Sequence, residues 1–412
     1  TLKINHLIGA FLIIYYFLSL VNKKTKLKFF ASSMLILAFI FSIVLSMLNS
    51  QVIGSSAIVL LQIIFCALLF QIIASEIDSE RKLDKVIKIL KTSAWIVIIF
   101  ALWQFVADMI SVPLKFTGLM EGYSKLTFGF PRVQAFSREP LFLGNYLFLP
   151  LAIFIAEIFS TKRDAKSFVG FAMTILIIIL TISRGAIIGL GVFFILLAIF
   201  YPRKIFKPKN LSILVTLLLC AGIGLIGTLK FIGPEKANKF IAHIQIKDFT
   251  YSESVQGRLS AYKQAIDAWK TSPIIGIGLM NFGPYSADYN LDSPWSKNVV
   301  NNQYLEILAE EGLVGIFIFT FLIIFVLINT FYAVRKNPNG KYNGLLILLT
   351  LSFVGVLAQY NFLSTLPIIY FWVYLALIVA MQQLTLKSEI RISKPARQDQ
   401  GMAGGSETKS ND

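Results

Sequence analysis

The residues best suited to chemistry in this chain are arginines in short polar segments between long apolar runs. The first segment is Phe130-Pro-Arg-Val-Gln-Ala-Phe-Ser-Arg-Glu-Pro140, which places Arg132, Arg138 and Glu139 just before an apolar run that Pro140 can open at its first helical turn. The second is Thr181-Ile-Ser-Arg-Gly185, a tight connection between two apolar runs. A minimal turn calls for Ser or Gly rather than arginine, so Arg184 stands at the mouth of the bundle those runs form. The third is the long stretch 230–312. There Gly257-Arg-Leu-Ser-Ala-Tyr-Lys-Gln-Ala-Ile-Asp-Ala-Trp269 has apolar residues at 259, 262, 266 and 269, one face of a helix with Arg258 in its first turn. Ser272-Pro-Ile-Ile-Gly-Ile-Gly278 reads as a turn. Asn301-Asn-Gln-Tyr-Leu-Glu-Ile-Leu-Ala-Glu-Glu-Gly312 reads as a short helix capped by asparagine, with Tyr304, Leu305 and Leu308 on its apolar face and Gly312 bending or ending it.

A guanidinium grips phosphate oxygens through a planar fork of donors. Several together stabilise charge gathering on a departing diphosphate while a hydroxyl attacks. A blander account exists for each residue taken alone: an interfacial arginine anchors or snorkels, and Asn301 or Asn302 simply caps a helix. The clustering of arginines and a carboxylate on one side of a membrane favours a site.

The positioning elements follow from hydropathy. Of 412 residues, 56% are hydrophobic and 15% charged, outside the balance of a soluble domain. The apolar residues gather in runs of about 17–23, the length that crosses about 30 Å of hydrocarbon as helix. Phe168–Ile182 and Leu313–Ile328 carry no charge at all. The expected spans are Asn5–Val21, Phe29–Leu48, Val52–Ala74, Ala94–Val112, Leu141–Phe159, Phe168–Ile182, Ala186–Tyr201, Leu211–Leu229, Leu313–Tyr332, Tyr342–Phe362 and Leu366–Leu384. The fold class is therefore an all-α polytopic membrane protein of about eleven transmembrane helices, twelve if upstream sequence adds one, since the chain does not begin with Met and its Thr1 falls outside.

Basic residues are retained on the cytoplasmic face. They gather in 22–28, 160–167, 201–210 and 333–341, together with the amphipathic stretch 75–92 and the C-terminal tail. The other side receives 49–51, 113–139, 183–185, 230–312 and 363–365, so all three arginine segments lie on the outer face. Residues 1–387 form one transmembrane domain, with external loops 113–139 and 230–312, the latter containing short amphipathic helices. Residues 388–412 read as a disordered cytoplasmic tail, in part foreign to the native chain.

The formal charge of +16 accompanies no basic helix or aromatic-basic module, so it indicates membrane lipids and topology rather than nucleic acid. Cys66 and Cys220 both lie in apolar runs, and no disulfide is expected. His6 and His243 are far apart, and neither zinc-ligand spacing, a magnesium-type acidic cluster nor a phosphate loop occurs; no metal or cofactor is expected.

The segments Arg132–Gly144, Thr181–Gly185, Gly257-Arg258 with Pro273–Gly278, and Asn301–Gly312 resemble, in order and on the same side, the O-antigen ligase and polymerase superfamily. These proteins handle glycans linked to undecaprenyl diphosphate. The resemblance covers the middle and C-terminal parts of the chain; the first five helices match in hydropathy alone. It implies a GT-C-like helical fold, metal-independent transfer, and outer arginines that bind the lipid diphosphate. Arg132, Arg184 and Arg258 carry over best, with Arg138 as a fourth. Ligases of the superfamily carry His-Asn, whose histidine activates the acceptor, where this chain has Asn301-Asn302. Asn301 takes no proton at neutral pH, so that step either lacks an obvious agent or falls to a carboxylate such as Glu139.

The expectation is a Wzy-type polymerase in a bacterial cytoplasmic membrane, its site facing the periplasm or cell exterior. It moves a growing glycan from undecaprenyl diphosphate to the non-reducing end of a lipid-linked repeat unit. Arg132, Arg184, Arg258 and Glu139 are its candidate catalytic residues; Arg138, Asn301, Asn302 and Tyr304 are its candidate substrate contacts. Its expected partners are the lipid-linked oligosaccharide, membrane lipids and a chain-length regulator protein. The alternatives are a ligase passing finished glycan to a lipid A core or protein, and a flippase for lipid-linked sugars. A flippase has little to couple to a gradient, because Asp108 and Glu157 are the acidic residues of the spans and both lie toward helix ends.

Overall fold

The computed structural model describes residues 4–393 except 24, 126–129, 161–163, 203–221, 223–226, 228–229, 231–252, 291 and 293–297. The described residues contain helices and no strand. In chain order the helices are α1 (Ile4–Val21), α2 (Ala31–Ser46), α3 (Ile53–Glu76), α4 (Glu80–Met109), α5 (Leu114–Thr117), α6 (Pro140–Ile158), α7 (Ala165–Leu180), α8 (Arg184–Phe200), α9 (Glu253–Thr271), α10 (Phe282–Ser286), α11 (Gln303–Lys336), α12 (Asn343–Gln359) and α13 (Ile369–Ser393). Six of these (α2, α3, α4, α6, α11 and α13) are long and apolar enough to cross a membrane, and α1, α7, α8 and α12 are shorter apolar helices. The chain is an all-α polytopic membrane protein. Apolar side chains such as Phe11 and Phe317 stand mostly exposed on the helix faces, as suits a hydrocarbon solvent. The expected span Leu211–Leu229 and most of the basic connection 201–210 lie outside the described residues.

Burial sorts the helices into layers. In the apolar windows of α6 and α13, 72% of residues are buried, against 17% in α4, so α6 and α13 are inner helices and α4 an outer one. α6 packs on α7 and α12, α8 on α12, α2 on α11 and α3 on α13. Phe148, Phe154, Phe353, Phe371 and Trp372 fill the centre. Polar contacts cross between helices where hydrocarbon offers no other partner: the Ser352 hydroxyl donates to the Phe148 carbonyl (3.1 Å), and Gln382 Nε2 donates to the Val326 carbonyl (2.8 Å).

Two expected boundaries shift. The surface stretch 75–92 and the span 94–112 join in one 30-residue helix, α4. Neither Gly nor Pro interrupts 80–109, and buried Leu83 and Ala94 continue one seam across the join. Of the tail expected to be disordered from Ser388, residues 388–393 continue α13, and 394–412 lie outside the described residues.

The links sort into two ends. At one, Lys28 pairs with Asp78 (3.4 Å) and Lys341 with Glu80 (3.1 Å). The other end is loop-rich and is built around a bend in α11. Gly312 has φ 68° and ψ −162°, which divides α11 into a short arm and a long apolar rod. The turn Pro273–Gly278 grips that bend through backbone bonds on both sides. Leu313 and Val314 donate to the carbonyls of Pro273 (2.9 Å) and Ile274 (3.1 Å), while Ile277 and Gly278 donate to those of Ala309 and Glu310 (3.0 Å each). A Cβ on Gly276 would stand 2.3 Å from the Glu310 carbonyl oxygen, and one on Gly312 2.4 Å from that of Ile274. The α2–α3 link fastens the same turn: Asn49 Nδ2 donates to Ser272 Oγ (2.9 Å) and the Gly276 carbonyl (2.8 Å).

Gly312→Ala and Gly276→Ala combine a left-handed backbone with a backbone clash, and the strained backbone alone costs about 1–3 kcal/mol. Both are expected to lower the thermal midpoint of the detergent-purified protein, whereas Gly191→Ala, with open space at its Cβ, is expected to leave it level or slightly raised. Equal midpoints for all three would refute the clamp.

Candidate functional site

Three chain segments build one cavity at the loop-rich end. The first is the strap 130–139 between α4 and α6. Its backbone is held by Gln104, a fully buried amide on α4. Gln104 Oε1 accepts from the Gln134 (3.2 Å) and Ala135 (2.7 Å) amides, and its Nε2 donates to the Ala135 carbonyl (3.3 Å). The second is the α7–α8 turn. Val133 N donates to the Leu180 carbonyl (3.2 Å) and Arg132 Nε to that of Thr181 (3.2 Å), so the strap and the turn are stitched together. Within the turn, Ser183 Oγ accepts from the Ala186 amide (3.4 Å), starting α8 with Arg184 at its first position. Ile182 has φ 49°, an uncommon strain for a β-branched residue, in the cavity wall itself.

α8 is drawn against the end of α12 by small residues. Gly185 lies under Phe362, and a Cβ on Gly189 would stand 2.5 Å from the Gly355 carbonyl oxygen, so the two helices touch backbone to backbone. The third segment is α9, which packs on α11. Its Tyr262 hydroxyl donates to the Asn361 carbonyl (2.7 Å), tying the helix that carries Arg258 to the α12–α13 turn beside Phe362.

The resulting cavity has a volume of about 200 Å³. Arg132, Arg184, Arg258 and Glu139 all line it, with Tyr123, Ser183, Leu141 and Phe362 among its other walls. The Arg132 guanidinium lies over the Tyr123 ring, 5.6 Å from its centre. Burial pushes the Arg132 pKa down; Tyr123 and Glu139 oppose this, and Arg184 and Arg258 add to it. Arginine stays charged at neutral pH even so, and the cavity is electropositive. Burial, then Glu139, pushes the Tyr123 hydroxyl up, so it remains a neutral hydrogen-bond donor at neutral pH. Such a space suits a compact polyanion.

The other candidates stand apart from these walls. Arg138 is exposed on the strap. Asn302 Oδ1 accepts from the amides of Tyr304 (3.0 Å) and Leu305 (3.1 Å), so its side chain serves as the N-cap of α11. The Tyr304 hydroxyl donates to the Leu357 carbonyl (2.7 Å). Asn301 adopts φ 57° and its Nδ2 donates to the Val299 carbonyl (3.4 Å). Their neighbour Gln303 is an unforeseen anchor: its Oε1 accepts from the Thr365 (2.7 Å) and Leu366 (2.8 Å) amides and fixes the α12–α13 turn. Gln104, Tyr123 and Phe362 were likewise unforeseen. A glutamine inside an apolar span is costly unless paired, and that cost was the signal for Gln104; Tyr123 and Phe362 carried none. Among the described residues, no group of three His, Cys, Asp or Glu side chains is arranged to hold a metal ion.

Residues 169–320 match the family model described as O-antigen ligase. The matched stretch contains Arg184 and Arg258 as well as Asn301, Asn302 and Tyr304, while Arg132, Arg138 and Glu139 precede it. The match supports the resemblance to the O-antigen ligase and polymerase superfamily. A search of curated proteins finds no match.

Gln104→Leu leaves the Gln134 and Ala135 amides without their acceptor, at about 1–3 kcal/mol for each buried donor. The variant is expected to have a lower thermal midpoint and weaker binding of inorganic diphosphate by calorimetry. Unchanged values for both would show that the strap does not depend on this side chain.

Proposed function

We propose that this polytopic membrane protein, which carries an O-antigen ligase family domain, is a glycan polymerase acting on lipid-linked repeat units. The observation that carries the reading is the meeting of Arg132, Arg184 and Arg258 around one cavity with a single carboxylate, Glu139. The donor is a glycan joined through its anomeric carbon to a polyisoprenoid diphosphate. An acceptor hydroxyl from a second lipid-linked unit attacks that carbon, and the carbon–oxygen bond to the diphosphate breaks. The leaving oxygen departs with the bonding electrons, and the hydroxyl proton passes to Glu139. The guanidiniums stabilise the charge that grows on the diphosphate, a preorganised form of electrostatic catalysis. Binding both lipid-linked partners at one membrane surface supplies the rest through proximity. The reading puts the cavity on the outer side; the described basic links that carry Lys28 and Lys341 lie at the opposite end of the bundle, which supports it.

The family description favours a second reading, a ligase that passes finished glycan to another acceptor. Asn301, which cannot take a proton, argues against it, since ligases of the superfamily have a histidine at that place and share the asparagine at Asn302. Loss of a polymerase leaves an acceptor carrying one repeat unit, whereas loss of a ligase leaves a bare acceptor and accumulated lipid-linked polymer. Glycan analysis of a deletion strain separates the two.

Arg184→Ala and Arg258→Ala are each expected to cost about 2–4 kcal/mol in the transition state, a loss of about two to three orders of magnitude in rate. Glu139→Gln is expected to slow transfer while leaving diphosphate binding intact. The check is a reconstituted assay with a defined lipid-linked unit, read as chain-length ladders; full-length ladders from the arginine variants would overturn the assignment.

A further inference from the structure

We infer that the outward face of α4 holds the isoprenoid tail of the lipid whose diphosphate enters the arginine cavity, an inference that rests on the reading above. Six residues of α4 (Lys88, Ile89, Thr92, Ser93, Ile96 and Val97) line a groove of about 420 Å³ together with Phe136. They form two rows four residues apart, 88-92-96 and 89-93-97, so the groove runs along the helix axis.

Its two hydroxyls are already engaged. The Thr92 hydroxyl donates to the Lys88 carbonyl of its own helix (3.1 Å), and the Ser93 hydroxyl is 3.2 Å from that of Tyr146. What remains is a wall of Ile89, Ile96, Val97 and Phe136. Ile89 and Ile96 are 67% and 55% exposed, and Phe136 is 66% exposed.

Phe136 joins groove to cavity. Its ring stacks on Phe100 (4.5 Å between centres, 10° between planes), at the end of the groove farthest from Lys88. Three residues along the same strap, Glu139 lines the arginine cavity, and three residues reach about 10 Å at most. From Phe100 back to Lys88 the helix rises about 18 Å. A tail leaving the cavity and following this path runs at most about 28 Å, and the roughly 18 Å along α4 already exceeds the roughly 15 Å of one leaflet. The acyl chains of a phospholipid cover one leaflet and come in pairs. A single long, methyl-branched isoprenoid chain matches both the length and the narrow aliphatic wall. Lys88 marks the far interface, where an ammonium on a long stem reaches water.

The test uses the purified full chain in lipid nanodiscs with two donors that carry the same glycan, one on a long-chain polyisoprenyl diphosphate and one on geranyl diphosphate. Ile96→Trp and Thr92→Trp fill the groove. Ile99→Trp is the control, on the same helix and 62% exposed but off the groove. The groove variants are expected to raise KM for the long-chain donor about tenfold, as loss of a few buried methylenes would, with the geranyl donor within about twofold of wild type and Ile99→Trp altering neither. A photoreactive long-chain diphosphate is expected to label the peptides containing 88–97 and 136. Equal effects on both donors, no effect on either, or labelling confined to other helices would overturn the tail placement. The cavity is checked separately with Arg184→Ala: if that variant binds geranyl diphosphate as wild type does, the reading of the cavity fails. If binding drops while the groove variants behave as wild type, the tail placement alone fails.

Discussion

Three guanidiniums around a cavity of about 200 Å³ repel one another, and much of the surrounding architecture serves to hold them there. Two unit charges about 8 Å apart in an effective dielectric near 20 repel by about 2 kcal/mol. Left on mobile loops, long side chains would swing apart into water. Here the segment that carries each is fixed. Arg132 is stitched to the α7–α8 turn, Arg184 opens a helix that touches α12 backbone to backbone, and Arg258 rides on a helix tied to the α12–α13 turn. The positive groups are thus set in place before any anion arrives, so an anion would meet them with little reorganisation.

The supports of these segments include backbone groups and uncharged amides. Gln104 holds the strap, Gln303 holds the α12–α13 turn, and Asn49 holds the turn that bends α11. At a membrane-facing site this choice has a physical basis. A carboxylate beside each arginine would position it but would also neutralise it toward an incoming phosphate. Amides fix geometry and leave the positive potential intact. Glu139 is the acidic side chain in the cavity wall, and one carboxylate against three guanidiniums leaves the balance of charge positive.

The bend in α11 links the outer cap to the bundle. Below Gly312 the helix is an apolar rod packed on α2 and α13; above it, the short arm packs on α9. The Pro273–Gly278 turn fits that bend because glycine on both sides lets two backbones approach. The segment that reads as a plain turn is therefore a bracket, which follows α9 directly and holds the bend of α11.

Hydropathy alone was enough for the class of fold, because a membrane-spanning backbone must satisfy its own hydrogen bonds and so forms helices of a length set by the bilayer. It also sorted the links into two groups, and the arginines at 132, 184 and 258 were legible as out of place in turns and caps. The roles of Asn302 and Tyr304 were not, because a polar residue near a helix start serves equally as a cap or a ligand contact until its partners are known. The convergence of Arg132, Arg184 and Arg258 from three separate segments, the paired amide that steadies the strap, and the glycine face Gly185–Gly189 beneath Arg184 depend on which helices touch. Packing decides that, since lipid favours no one helix pair through hydrophobicity and close fit with interhelical hydrogen bonds selects the neighbours.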